Sequence, residues 1–265
     1  MNKPRLVFLF AGQLRTFDSI PVVRSWRKFL DTYDVLVYGC FWRNRGKSAC
    51  SISAGIAKDV NPDELISCDS VKNVFQTDNI WLYDYDDFLS GLPQEYCNFK
   101  SSYYFGCSVP NSFLRNEVCK KMIESGKDIP FNPLTYTLTR PDLIWLRHPP
   151  PCFTETTDFL WHNDSPQAYH PNRIYDIFMC SNRENILKMG NMYTDISGFL
   201  TAVNSTFNTS LDPLDSCRLN YNYAVLNNIQ VRSQDRLHID VLREDSDVER
   251  YSTVYTNEPL WGVSD

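Results

Sequence analysis

Apolar positions along the chain fall into short continuous runs separated by stretches with helical spacing. Arg5 to Ala11 (RLVFLFA) is unbroken apolar chain after its arginine, the pattern of a central strand covered on both faces. Ile20 to Tyr33 carries Val22, Val23, Trp26, Phe29 and Leu30 at helical spacing, with Pro21 in the first turn where proline is tolerated. Asp34 to Phe41 (DVLVYGCF) is a second buried strand, which gives a β-loop-α-β opening and predicts parallel pairing through a helical crossover. Val71 to Phe75 and Ile80 to Tyr83 read as short strands. Pro110 to Gly126 reads as a helix stopped by its glycine. Leu134 to Leu138 alternates apolar residues with threonines, and Leu143 to Leu146 is a short apolar run; both predict strands. Thr154 to Pro171 reads as loop. Tyr175 to Cys180 predicts a strand, followed by a helix with Ser181 and Glu184 at capping-box spacing. Asp212 to Asn228 predicts a helix and Ile229 to Arg232 a short strand. The alternation of strands and helices predicts an α/β fold in one domain covering residues 1–265, with a mostly parallel central sheet.

Composition agrees with a folded chain: 265 residues, 43% hydrophobic and 14% aromatic, supply a large core. A net charge of -6 without a Lys/Arg-rich run argues against nucleic acid as a partner. The apolar run at the N-terminus is too short for a signal peptide core or a membrane span, and the expectation is a soluble protein of the cytoplasm. The nine cysteines are scattered, odd in number and without a CxxC pair, so neither a zinc site nor a disulfide scaffold is signalled. Sequons at Asn204 and Asn208 carry little meaning without a secretory signal.

Candidate chemistry gathers at strand ends. After the first strand comes GQLRTFD, where Gly12 permits tight backbone geometry and Gln13 and Arg15 offer planar hydrogen-bonding groups. One glycine does not make the GxGxxG dinucleotide fingerprint, and no P-loop occurs. The stretch LTYTLTRPDLIWLRH sets Arg140 and Asp142 on either side of Pro141, which cannot continue a ladder and biases Arg140 toward extended backbone. A cation and a carboxylate two residues apart at a strand end lie where open α/β sheets bind ligands. Asp176 leads a later strand and could face the same cleft. Two weaker metal candidates are the acidic patch of Asp84, Asp86 and Asp87, and the loop bearing His162, Asp164 and His170. The polar connection from Arg43 to Pro62 has the composition of a loop over a sheet edge.

GQLRTF after the first strand and TRPDL at a later one together resemble a group of glycosyltransferase-like proteins of bacteria and large viruses, related in pattern to the WavE-like lipopolysaccharide-synthesis proteins. The resemblance implies a GT-A-like, Rossmann-like three-layer sandwich. It also implies a nucleotide-sugar donor, a glycan or surface-polysaccharide acceptor and a divalent metal, Mn²⁺ or Mg²⁺. Carried over by residue, Gly12, Gln13, Leu14, Arg15 and Thr16 form the donor-binding loop with Arg140. Asp142 takes the place of the metal-binding DxD motif, and Asp176 is the candidate catalytic base. The chain departs from the pattern in two ways: RPD offers one carboxylate where DxD offers two, and the first arginine of RxRPDL is Leu138 here. The missing carboxylate motivates the alternative, a non-catalytic carbohydrate- or nucleotide-sugar-binding protein on the same fold.

Overall fold

The computed structural model describes residues 3–45, 64–102, 104–145, 151–153, 157–163, 172–175, 177–205, 212, 214–234 and 239–241. In chain order the elements are β1 (Arg5–Gln13), α1 (Ile20–Thr32), β2 (Asp34–Trp42), α2 (Cys68–Phe75), β3 (Ile80–Tyr83), α3 (Tyr85–Ser90) and α4 (Gln94–Cys97). They continue with α5 (Phe105–Ser125), α6 (Asp128–Phe131), β4 (Thr135–Thr139), β5 (Leu143–Trp145), β6 (Leu160–Asn163) and β7 (Phe178–Ser181). The last are α7 (Arg183–Gly190), α8 (Ile196–Ser205), α9 (Ser216–Leu226), β8 (Val231–Gln234) and β9 (Ile239–Val241).

Seven strands form one sheet in the order β3-β2-β1-β4-β7-β6-β8, and β5 and β9 pair separately. β1 pairs in parallel with β2 on one side and β4 on the other. β7 alone runs against the rest, antiparallel to both β4 and β6, and β6 pairs in parallel with β8. The α/β class with a mostly parallel central sheet is therefore as the sequence pattern predicts. The continuous apolar run of β1 has a direct cause. Val7, Leu9 and Ala11 enter one core layer with Val109, Leu114, Val118 and Met122 of α5, while Leu6, Phe8 and Phe10 enter the other with Trp26 and Phe29 of α1 and Phe75 of α2. Helices cover both faces, and the strand has no wet side.

Local signals behave as their chemistry requires. α1 carries Pro21 in its first turn and ends where the Tyr33 N–H donates to the Phe29 carbonyl. α5 stops at Gly126, whose positive φ of 61° lets its N–H reach the carbonyls of Met122 and Ile123. That helix starts five residues earlier than the sequence suggests, at Phe105, with Pro110 inside it.

Other elements differ from the expectation. Val71 to Phe75 lies in the helix α2, not a strand: Ser67 accepts the Ser70 N–H as its N-cap, and Val71 and Phe75, four apart, point into the core. The expected loop from Thr154 to Pro171 contains the strand β6. α7 is capped by Asn182, which accepts the Asn185 N–H, rather than by Ser181, which ends β7. α9 starts at Ser216, later than the expected Asp212, with Asp215 capping it. α8, with Phe199, Ala202 and Val203 buried, is a helix additional to those the sequence pattern predicts. The polar tail after Arg243 lies outside the described residues.

The layer packed on α5 is rich in tyrosine. Burial pushes Tyr85 and Tyr193 up to about 12 and raises Tyr38, Tyr83, Tyr96, Tyr136 and Tyr223 as well. An unfolded chain releases tyrosine protons near pH ~10 while the folded core keeps them, so stability is full below that pH and falls as pH rises toward the folded values. Alkaline titration followed at 295 nm should show a delayed, cooperative step coincident with loss of circular dichroism. Smooth ionisation of all 15 tyrosines near pH ~10 with the fold intact would contradict this.

Candidate functional site

The order β3-β2-β1-β4 makes the boundary between β1 and β4 a topological switch point: the chain leaves β1 toward β2 and β3, then returns to the other side of β1 as β4. In open α/β sheets the crevice for ligands opens at such a point, at the carboxyl ends of the strands. β1 runs out into Gly12–Thr16 there, and β4 into Arg140–Asp142. The two segments meet. Gly12 has φ +139°, and a Cβ built on it would lie 3.6 Å from Pro141 Cδ and 3.9 Å from Asn111 Oδ1 of α5. Loop, proline and helix thus converge on one glycine.

Gln13 and Arg15 are both buried, and Arg15 Nε donates to Gln13 Oε1 at 2.9 Å. Leu14 anchors the loop in the core beside Phe17, and the Thr16 carbonyl accepts the Ser19 N–H as the chain turns into α1. Arg45, beyond β2, braces the loop from outside. Its Nη1 donates to the Arg15 carbonyl at 2.6 Å and to Asp18 Oδ1 at 2.8 Å, and its Nη2 donates to Asp18 Oδ2 at 2.6 Å. Its Nε lies 3.0 Å from the Glu64 carboxylate, and the guanidinium stands 5.4 Å from the Phe17 ring centre. The hydrogen bond to Asp18 raises its already high pKa. In the sequence Arg45 stands only in a polar connection, and partners about 30 residues away leave no periodic signal.

Asp142 is fully buried, and its carboxylate accepts two hydrogen bonds from Arg140, Nε to Oδ1 at 2.9 Å and Nη2 to Oδ2 at 2.7 Å. This is a bidentate fork across a proline. It fixes the guanidinium of Arg140 beyond the carboxyl end of β4 and occupies both carboxylate oxygens. β7 begins at the same edge, since Thr139 Oγ1 donates to the Ile177 carbonyl at 2.7 Å. Asp176 itself lies outside the described residues.

These donors do not fit a divalent cation. A hard metal ion takes several oxygen ligands, and the one described carboxylate of the RPD segment is already spent on an arginine. Among the described residues no group of three or more His, Cys, Asp or Glu side chains is arranged to hold a metal. Asp84 of the acidic patch caps α3, accepting the N–H groups of Asp86 and Asp87. His162 is buried on β6, while Asp164 and His170 lie outside the described residues.

Gly12 offers a check on the loop. Its backbone angle is one that residues with a Cβ rarely adopt, although the space beside it is open to ordinary contact. Gly12→Ala should therefore cost about 1–3 kcal/mol through strain, read as a lower urea midpoint, and a neutral result would show that the loop relaxes freely.

No family model matches the sequence, and no curated protein does. Among solved structures, the chain is similar to the nucleoside-diphosphate-sugar pyrophosphorylase from Vibrio cholerae RC9, with 8% identity over 93% of this chain and 98% of that one and a TM-score of 0.41. The sheet by itself defines the class: an open, mostly parallel α/β protein with polar loops meeting at its switch point. No helix among the described residues is long and apolar enough to cross a membrane.

Proposed function

We propose that this chain is a glycosyltransferase of GT-A-like fold that moves a sugar from a nucleotide-sugar donor to a glycan acceptor, with the donor diphosphate at the carboxyl ends of β1 and β4. The observation that carries the reading is the close approach of Gly12 and Pro141 at the switch point, where a Cβ on Gly12 would lie 3.6 Å from Pro141 Cδ, so that the GQLRT loop and the RPD segment share one end of the sheet. A leaving nucleoside diphosphate develops negative charge as the glycosidic bond breaks, and fixed cations aimed at that charge lower the barrier. Arg140, oriented by Asp142, and Arg15, oriented by Gln13, are the candidates. Asp142 then acts as a positioning residue, and the diphosphate is met by arginine rather than by a metal-bound carboxylate. Asp176 remains the proposed base for the acceptor hydroxyl on sequence grounds.

A second reading, a nucleotide-sugar-binding protein without turnover, is favoured by the same fork, because a carboxylate engaged by arginine is not free for chemistry. Calorimetric titration with UDP, GDP and dTDP sugars, in EDTA and in Mn²⁺, tests both. The expected result is one nucleotide class that binds without Mn²⁺ and binds about tenfold or more weakly in Arg140→Met. Release of nucleoside diphosphate on adding acceptor glycans separates transferase from binding protein. Failure of every nucleotide to bind would remove both readings.

A further inference from the structure

A crevice of about 580 Å³ opens at the far end of the sheet between β6 and β8. β6 runs parallel to β1, so the residues entering it, Thr157 to Phe159, lie at the edge opposite the switch-point site. On this face Trp161 of β6 and Phe159, just before that strand, stand beside Arg232 of β8 and Gln230, just before it, because Trp161 is in register with Arg232 and side chains alternate. Leu160 and Val231 point the opposite way into the core.

Arg232 is exposed and lies flat on this shelf, its guanidinium carbon 3.4 Å from the Phe159 ring centre and 5.7 Å from that of Trp161. Stacking fixes the plane of the fork while leaving its N–H edges unspent; among the described residues it makes no hydrogen bond or ion pair. Around it stand the exposed side chains of Gln230, Asn228 and Asp158. Asp158 Oδ1 accepts from Asn182 Nδ2 at 3.0 Å, which holds that carboxylate at the rim. The Trp161 indole is held from behind, its N–H donating to Thr157 Oγ1 at 3.0 Å.

A pre-oriented guanidinium, two planar amides, a carboxylate and an aromatic wall match one ligand chemistry. The fork pairs bidentately with a carboxylate, the amides and Asp158 serve hydroxyl groups as donors and acceptors, and the aromatic edge meets the apolar face of a ring. We propose that this crevice binds an anionic saccharide of the uronate class, with its carboxylate on Arg232 and its hydroxyls on Gln230, Asn228 and Asp158. The site is independent of the nucleotide site and holds whether or not that reading survives.

The test is calorimetric titration of the full chain with tetragalacturonate, with maltotetraose as the neutral control and acetate as the lone carboxylate. Tetragalacturonate should bind, maltotetraose and acetate should bind about tenfold or more weakly, and saturating UDP should leave the affinity unchanged. Arg232→Met should weaken binding about tenfold or more, with Arg232→Lys intermediate, at an unaltered thermal midpoint. Because Arg232 lies on the surface, both variants should fold. Equal binding of the neutral oligosaccharide, displacement by UDP, no binding at all, or affinity indifferent to Arg232→Met would each overturn the proposal.

Discussion

Asp142→Ala is expected to destabilise the protein by about 3–5 kcal/mol, the usual cost of removing one partner from a buried ion pair. The side chain of Asp142 has no exposed surface and that of Arg140 only 16%, so alanine removes a bidentate carboxylate from a guanidinium that is largely out of water. Urea denaturation gives the cost directly. Removing both charges should cost less than removing the carboxylate alone, so Arg140→Met with Asp142→Ala should recover part of the loss. A single variant within about 0.5 kcal/mol of wild type would mean that Arg140 swings into solvent, and the positioned cation proposed for the donor diphosphate would go with it. Loss of nucleotide binding in Asp142→Ala must therefore be read beside its stability, whereas Arg140→Met probes the cation more directly.

Phe8→Ala is expected to cost a similar amount, about 3–5 kcal/mol, through the cavity left behind. Phe8 sits in the central strand with ring centres of Phe29, Trp26, Phe10, Phe153 and Trp145 between 5.1 and 6.2 Å away. Those rings come from β1, α1, β5 and the turn at Pro151–Phe153, so one truncation loosens four separate segments. Rings that wide apart in sequence cannot collapse together to fill the space, which keeps the cost at the upper end. Against a total of about 5–15 kcal/mol for a domain, this is a large fraction, and the urea midpoint should fall accordingly. Ile20→Ala, at a side chain 67% exposed, is the control and should move the midpoint by less than about 0.5 kcal/mol. If Phe8→Ala behaved like Ile20→Ala, the two-layer packing about β1 would be wrong.

The elements that sequence pattern recovers are those whose signal is local. β1 and β2 announce themselves as apolar runs because both their faces are buried, and α1 as a 3.6-residue rhythm because one face is. Gly12 and the RPD triplet stand out because glycine and proline restrict the chain wherever they occur. Shorter elements are ambiguous for the same reason: VKNVF holds β-branched residues suited to a strand at spacings suited to a helix, and the cap at Ser67 together with the core beneath α2 decides it.

What the sequence by itself determined is therefore the α/β alternation, the two buried strands that open it, and the two polar segments at strand ends. Only the tertiary structure decided that β4 returns to the free side of β1 and so draws those segments together, that β7 runs antiparallel, and that Arg45 clasps the loop from beyond β2. It also decided that Asp142 faces its own neighbour Arg140 in the interior. The physical reason is common to all of these. Strand order, strand direction and the partner of a buried charge depend on which surfaces meet across many residues of chain, and the free energy that selects among them, burial of apolar area and pairing of buried polar groups, has no local pattern.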